Sequence, residues 1–238
     1  MSQVYKLEYS IFEPMMFRSS GEFDLSARGI QASASSSTLP SPSTIVGVLA
    51  TLTLEKIGGS SKGKSWVEEY LSVLGLDTAF RCPFLEARGE AYVEDRTLGG
   101  GKLIKLENAV RKVRKLSELL SLKRPTDETS IKENLKFFKE IRDLDKSLKP
   151  YFNSRSLERV GVGLSVRYGE GKVAKKDDGL LYSASFVDYS STEHPKVKVS
   201  ADAKSRILEE VFRDQLRVPV RFGGEGRFSL LTVSRGIS

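Results

Sequence analysis

Two stretches of this chain have the residue types and spacing to hold a phosphate. Gly58, Gly63, Lys64 and Ser65 satisfy G-x-x-x-x-G-K-S. In that motif backbone N–H groups cradle the phosphates, the lysine reaches the terminal ones and the hydroxyl binds magnesium. Near the other end, Gly223-Gly224-Glu225-Gly226 lies between Arg221 and Arg227, with a short apolar run on either side. Glycine lacks a Cβ, so such a loop can take positive φ, press its backbone against another chain and turn N–H groups toward one anion. The two arginines add forked donors that match phosphate. An ordinary hairpin whose turn merely needs glycine fits the same letters, and the residues alone leave both readings open. A third chemistry is acid–base cleavage around an RNA 2′-hydroxyl, which usually uses histidine. The chain has one, His194, before Pro195 in a polar stretch. Nothing basic or aromatic adjoins it, and a plain surface histidine is the better reading, although Tyr or Lys could take its part.

The elements around these groups decide against the first motif. A P-loop follows a buried parallel strand. Here residues 42–57 read as a helix, with Ser41 as N-cap, Pro42 at the first helical position, an inward stripe of Ile45, Val46, Leu49, Leu52 and Ile57, and Gly58 past the end. Glu55 and Lys56 would be costly in a strand covered on both faces. The nearest magnesium-binding acid on a strand end is Asp188 after Phe186-Val187, a loose match.

Elsewhere, residues 3–11 alternate as an opening strand with Tyr5, Leu7, Tyr9 and Ile11 on one face. Residues 12–23 are irregular, and residues 26–41 are small, polar and nearly uncharged apart from Arg28, which predicts a mobile loop. A capping box, Ser65-x-x-Glu68, opens a helix over 66–74. Residues 79–87 and 90–97 form a hairpin across Arg88-Gly89, with Pro83 making the first an edge or bulged strand. Residues 103–122 read as a helix with Leu103, Leu106, Val110, Val113, Ser117 and Leu120 inward and Lys105, Arg111, Lys112, Lys115 and Lys123 outward. Ser130-x-x-Glu133 caps the next, with Ile131, Leu135, Phe138, Ile141, Leu144 and Leu148 inside, and the two make a helical hairpin over about 103–148. Strands follow over 160–168, 180–188 and 196–201, separated by a solvated Gly/Lys/Asp loop. Asp202 caps a last helix over 203–216, and the glycine-rich hairpin closes the chain. The expected organisation is α+β in two units, 1–150 and 151–238.

Composition sets the class. With 39% hydrophobic residues in 238 the chain has enough apolar surface for a core. No window approaches the roughly 18 apolar residues that span a bilayer, and the start MSQVYKLEYS lacks the pattern of a signal peptide, so no membrane partner and a cytoplasmic location are expected. Cys82, the single cysteine, excludes an internal disulfide or a cysteine-cluster metal site, and its neighbours Phe80 and Phe84 suggest burial. The net charge of +7 favours a polyanionic partner. Residues 102–124 carry eight Lys or Arg against Glu107 and Glu118, nearly the whole excess. That clustering makes Lys105, Lys112 and Lys115 candidate RNA contacts, with an acidic protein surface as the other partner for this face.

Four stretches in order carry a family resemblance: FEPMMFRSSGEF after the first strand, LPSPSTIVGVLATL opening the first helix, ERVGVGLSVRYGEGKVAKKDDGLLYSASFV in the second half and VRFGGEGRF near the end. Together they cover roughly half of the chain and resemble RAMP proteins, in particular the third-subunit family of Cmr (type III-B) CRISPR effector complexes. The resemblance implies two ferredoxin-like (RRM-like) units, with the helical region as an insertion in the middle of the chain. It implies a non-catalytic role without a cofactor: holding the 5′ handle of a guide CRISPR RNA, with the large polymerase-like subunit and a backbone subunit as neighbours and target RNA met indirectly. By position it would place Phe17 and Arg18 at the handle pocket, Pro42 and Ser43 at the helix start beside it, and Gly223, Gly224, Gly226 and Arg227 in the signature loop. The serine tract 33–37 and residues 102–149 match no family motif. An NTP-hydrolysing P-loop protein and a guide-processing RAMP endoribonuclease are the rival readings.

Overall fold

The computed structural model describes residues 3–17, 33–34, 36–56, 79–95, 102–120, 128–147, 152, 154–162, 164–167, 171–174, 181–203, 212 and 216–235. The chain is α+β and rich in strands. It forms two compact units, one made of residues 1–88 and 154–238 and the other of residues 89–153.

The larger unit is built on an antiparallel sheet. Strand β1 (Gln3–Ile11) lies between β13 (Phe228–Arg235) and β11 (Lys196–Ala203). Strand β12 (Leu216–Arg221) flanks β13, and β3 (Ala79–Phe80) and β4 (Phe84–Ala87) both pair with β11. The break between β3 and β4 falls at Pro83, which cannot donate to a ladder. The alternation read in residues 3–11 is the observed one: Tyr5, Leu7, Tyr9 and Ile11 are buried, and on β13 Leu231 and Val233 face the same core. On the opposite face Glu8 meets Lys196 at 2.6 Å and Lys198 at 3.2 Å, and Lys198 also meets Glu86 at 2.6 Å. Burial alone would push Glu8 up, but the two lysines outweigh it and hold the carboxyl below its ordinary range. The lysines of β11 are therefore already neutralised by their own sheet.

A second sheet joins β10 (Leu181–Asp188), antiparallel to β7 (Arg155–Val162) and parallel to the two-residue β2 (Ser33–Ala34). Strand β8 (Leu164–Arg167) pairs with β9 (Gly171–Ala174), which takes part of the stretch expected to be a solvated loop. The serine tract is likewise ordered where it is described. The Phe17 N–H donates to Ser36 Oγ at 2.8 Å, and the Ser36 N–H donates to Ser185 Oγ at 2.9 Å. Hydroxyl groups tie down a segment with little apolar surface to bury, which composition does not reveal. Helix α1 spans Pro42–Lys56, capped by Ser41 as expected.

Two further expectations for this unit fail. Asp202 is no helix cap, because β11 continues to Ala203 with Asp202 opposite Val4 and Ala79. Cys82 is exposed rather than buried, since the chain leaves the sheet at residues 81–83. Of the helix expected over 203–216 only Phe212 and the strand residues at its two ends are described; Phe212 is buried against Tyr5.

In the smaller unit β5 (Glu90–Asp95) pairs antiparallel with β6 (Lys102–Lys105), followed by α2 (Leu106–Leu120) and α3 (Glu128–Ser147). Three corrections belong here. The helix begins at Leu106, so Leu103 and Lys105 are strand residues. Its inward side differs from the expected one: Leu106, Val110 and Val113 are exposed and Asn108 and Lys112 face inward, while Arg111 is exposed as expected. On α3, which starts ahead of Ser130, the expected core residues Ile131, Leu135 and Phe138 are exposed.

Candidate nucleic-acid interface

The glycine-rich loop joins β12 to β13. The Phe222 N–H donates to the Arg227 carbonyl at 2.8 Å, and Gly223, Glu225 and Gly226 adopt φ of +83°, +58° and +66°. Gly223 is required twice over, by that φ and because a Cβ would sit 2.5 Å from the Met16 carbonyl oxygen. The Gly224 N–H donates to the same oxygen at 2.8 Å. The close backbone approach expected of this loop is thus made to its own chain, at the segment after β1. Phe222 is fully buried, stacked on Tyr9 at 4.2 Å and edge-on to Phe17 at 5.3 Å. Phe17 is accordingly a core residue beneath the loop rather than a ring facing a ligand.

The two shoulder arginines have different situations. Arg227 is paired with Glu13, its guanidinium lies 4.9 Å from the centre of the Phe186 ring, and its Nε is buried without a hydrogen-bond partner among the described residues. Glu13 also accepts the Phe228 N–H at 3.1 Å. That backbone bond, and then the Arg227 pair, hold the Glu13 carboxyl below its ordinary range. Arg227 is a pin between the segment after β1 and the loop. Arg221 is exposed and has no carboxylate partner among the described residues. Directly across the strand pair stands Phe228, a ring that remains 53% exposed.

Arg221, Gly223 and Phe228 line a groove of about 490 Å³ whose other wall is α1. Thr44, Gly47, Val48, Thr51 and Glu55 face it at three- and four-residue steps along the helix. Ser41 Oγ accepts the Thr44 N–H at 3.3 Å and lies 2.7 Å from Ser43 Oγ, so the first turn presents hydroxyls at the positive end of the helix dipole, with Pro42 and Ser43 exposed. A cation, an aromatic face, hydroxyls and a helix N-terminus around one groove suit a single-stranded nucleic acid, whose phosphates and bases need those partners. The sequence reading found Arg221, Gly223 and the helix start but passed over Phe228, Thr44 and Thr51. Phe228 was detectable, because period-two alternation that turns Leu231 and Val233 inward puts Phe228 on the other face.

The other sequence candidates lie elsewhere. Arg18, Arg28 and the G-x-x-x-x-G-K-S residues Gly58, Gly63, Lys64 and Ser65 are outside the described residues, as is the helix expected over 66–74. What precedes that motif is helix α1, so the strand a P-loop requires is missing there. Asp188 accepts both the Ser190 N–H and its hydroxyl at 2.8 Å, as a turn cap does. His194 is exposed in a turn with φ of +50°. Among the described residues no three His, Cys, Asp or Glu side chains gather as for a metal. The central lysines do not form one outward face: Lys105 on β6 pairs with Glu90, and Lys112 pairs with Asp95 at 2.5 Å with its side chain only 4% exposed. Lys115 lies 3.8 Å from Glu140.

No family model matches the sequence. Over 225 residues the chain is 26% identical to the CRISPR system CMR subunit Cmr3 of Saccharolobus solfataricus, a match covering 93% of this chain and 60% of that protein. The chain resembles that subunit over nearly all of its own length. Chains in two cryo-EM structures of the Type III-B Cmr-beta bound to cognate target RNA share the fold, with TM-scores of 0.59 and 0.60 and identities of 21% and 22%. Each match covers 98% of this chain and 63% or 64% of the other. This chain therefore spans a little under two thirds of the length of its relatives. Among its described residues no helix is long and apolar enough to cross a membrane.

Proposed function

We propose that this Cmr3-like chain is an RNA-binding, non-catalytic subunit of a type III-B CRISPR effector complex acting in the cytoplasm. Its groove between α1 and the β12–β13 hairpin holds the single-stranded 5′ handle of the guide RNA. The observation that carries the reading is the pair Arg221 and Phe228: an exposed guanidinium with no carboxylate partner among the described residues and an exposed ring, on facing strand positions, one suited to a phosphate and the other to the neighbouring base. Pro42 and Ser43 add the helix start, and Arg18, Arg28 and Lys115 are further candidate contacts. Phe17, Gly223, Gly224, Gly226 and Arg227 give the loop its shape from behind, and Lys105 and Lys112 hold the smaller unit together. The similarity to Cmr3 extends the proposal to two ferredoxin-like halves with an inserted helical region, to a large polymerase-like subunit and a backbone subunit as neighbours, and to target RNA met through the guide.

The test is binding of labelled guide RNA, handle-bearing or scrambled in the handle, to the parent chain and to Arg221→Ala and Phe228→Ala. Tight binding of the handle-bearing RNA that both variants weaken, with no cleaved product, supports the proposal. Binding indifferent to both substitutions removes it.

A further inference from the structure

The groove wall contains one group that a polyanion would not be expected to tolerate. Glu55 lies in the last turn of α1 on the same stripe as Thr44, Gly47 and Thr51, is exposed, and has no cation paired with it among the described residues. A carboxylate facing phosphates is repelled, so its place in an RNA groove has to be balanced by hydrogen-bond donors that meet it. One turn earlier, the Thr51 hydroxyl donates its proton to the Gly47 carbonyl at 2.9 Å, which leaves only lone pairs toward the groove. This end of the wall is therefore built of acceptors, and Gly47 narrows it by no side chain at all. Across the groove stands the Phe228 ring, a platform for one base.

From this arrangement we infer that the groove selects guanine at one position of the bound strand, with Phe228 stacking the base and the Glu55 carboxylate reading its Watson–Crick edge. Guanine alone among the four RNA bases places two donors side by side on that edge, the N1–H and the exocyclic N2 amino group, and a carboxylate accepts both at once. Adenine and cytosine offer one amino donor beside an acceptor nitrogen that the carboxylate repels, and uracil sets its single N–H between two carbonyl oxygens. Thr51 Oγ1 is a further acceptor on the same wall. The inference rests on the groove being the RNA site.

The experiment uses fluorescence anisotropy with the full chain and eight-residue single strands: all uridine, and the same strand with one guanosine, inosine, adenosine or cytidine placed at each position in turn. At one position guanosine is expected to bind about tenfold tighter than adenosine or cytidine, the scale of one bidentate base contact. Inosine, which keeps the N1–H but lacks the amino group, is expected to lose most of that advantage. Glu55→Gln is expected to abolish the guanosine preference and at the same time to tighten the all-uridine strand two- to threefold, because a charge facing the phosphates is gone. A merely structural role for Glu55 would weaken every strand alike, and that result overturns the inference. So does a parent protein that shows no base preference at any position, even though Arg221→Ala weakens the all-uridine strand; the groove reading then stands without the guanine. All-uridine binding that ignores both Arg221→Ala and Phe228→Ala overturns the groove reading and the guanine inference together.

Discussion

Arg221 and Phe228 are opposite each other in the register of β12 and β13, and both side chains are exposed. Six residues beyond Arg221, the loop's other arginine is turned inward onto Glu13 and Phe186. Two arginines that look equivalent in the sequence VRFGGEGRF thus divide into one that holds the loop and one that stays exposed beside Phe228.

For Arg227 the consequence is stability. Arg227→Ala leaves Glu13 with its backbone bond and the more distant charge of Arg159, and removes one of the two cations over the Phe186 ring. Loss of a hydrogen bond to a charged group together with a cation–π contact is expected to cost about 2 kcal/mol. A urea titration checks this, and Arg227→Lys, which keeps the charge but loses the planar fork, should fall between the two. Neither variant should alter the slope of log affinity against log salt for RNA.

The Glu13 carboxyl is held low in the folded chain, which fixes the sign of its pH effect. Its stabilising contribution is complete above its unfolded pKa near 4.5 and is lost as pH falls through the lower folded value. The stability difference between the parent and Glu13→Gln should be constant from pH 7 to about 5 and shrink below pH 4.5. Urea unfolding at pH 7, 5 and 3 measures it. A difference that grows on acidification would mean that Glu13 is not the ionised partner.

The three loop glycines should rank by geometry. Gly223→Ala meets both a φ of +83° and the Met16 carbonyl at 2.5 Å, so it should cost more than the roughly 1–2 kcal/mol of a left-handed alanine. Gly226→Ala has φ of +66° with nothing within 4 Å and should cost about 1 kcal/mol. Gly224→Ala meets only the flexible Met16 sulfur at 3.1 Å and should be the mildest of the three. Thermal melts give the order.

Lys112 and Lys115, three residues apart on α2 and both expected to be solvent-facing cations, should differ from each other in their effect on stability. Lys112→Met removes one partner of a buried ion pair and should cost about 3 kcal/mol. Lys115→Ala breaks an exposed contact at 3.8 Å and should change stability by less than about 0.5 kcal/mol. Denaturant midpoints of the two variants check the contrast.

These residues also mark what was readable from sequence. Period-two alternation located β1 to the residue, and a serine cap with a following proline located α1, because both signals are local. The periodicity of α2 was equally clear, yet its inward side was misjudged: what turns Lys112 inward is Asp95 on β5, a partner seventeen residues away that no helical pattern contains. Asp202 looked like a cap, but pairing with Val4 and Ala79 continues the strand through it. In the candidate site the glycine loop, Arg221 and the helix start were legible from residue type. The division of labour between the arginines was not, since it depends on Glu13 and Phe186, more than 200 and about 40 residues away in the chain.

If Arg221 and Phe228 hold one nucleotide between them, their contributions should be separable. Arg221→Ala should flatten the slope of log affinity against log salt by about 0.7, one phosphate on a single strand. Phe228→Ala should leave the slope unchanged while costing about 1–3 kcal/mol of affinity through lost stacking. A salt series with a single-stranded RNA distinguishes the two effects.

The most direct measurement is photocrosslinking of the full chain to guide RNA in which 5-iodouridine replaces each nucleotide of the 5′ handle in turn, with the adduct located by mass spectrometry. Iodouridine reacts with an aromatic side chain stacked on it. One handle position is expected to give an adduct on Phe228, lost in Phe228→Leu and suppressed by high salt. Adducts confined to residues 102–147, with none between residues 216 and 235 at any handle position, would contradict it and place the RNA on the helices instead.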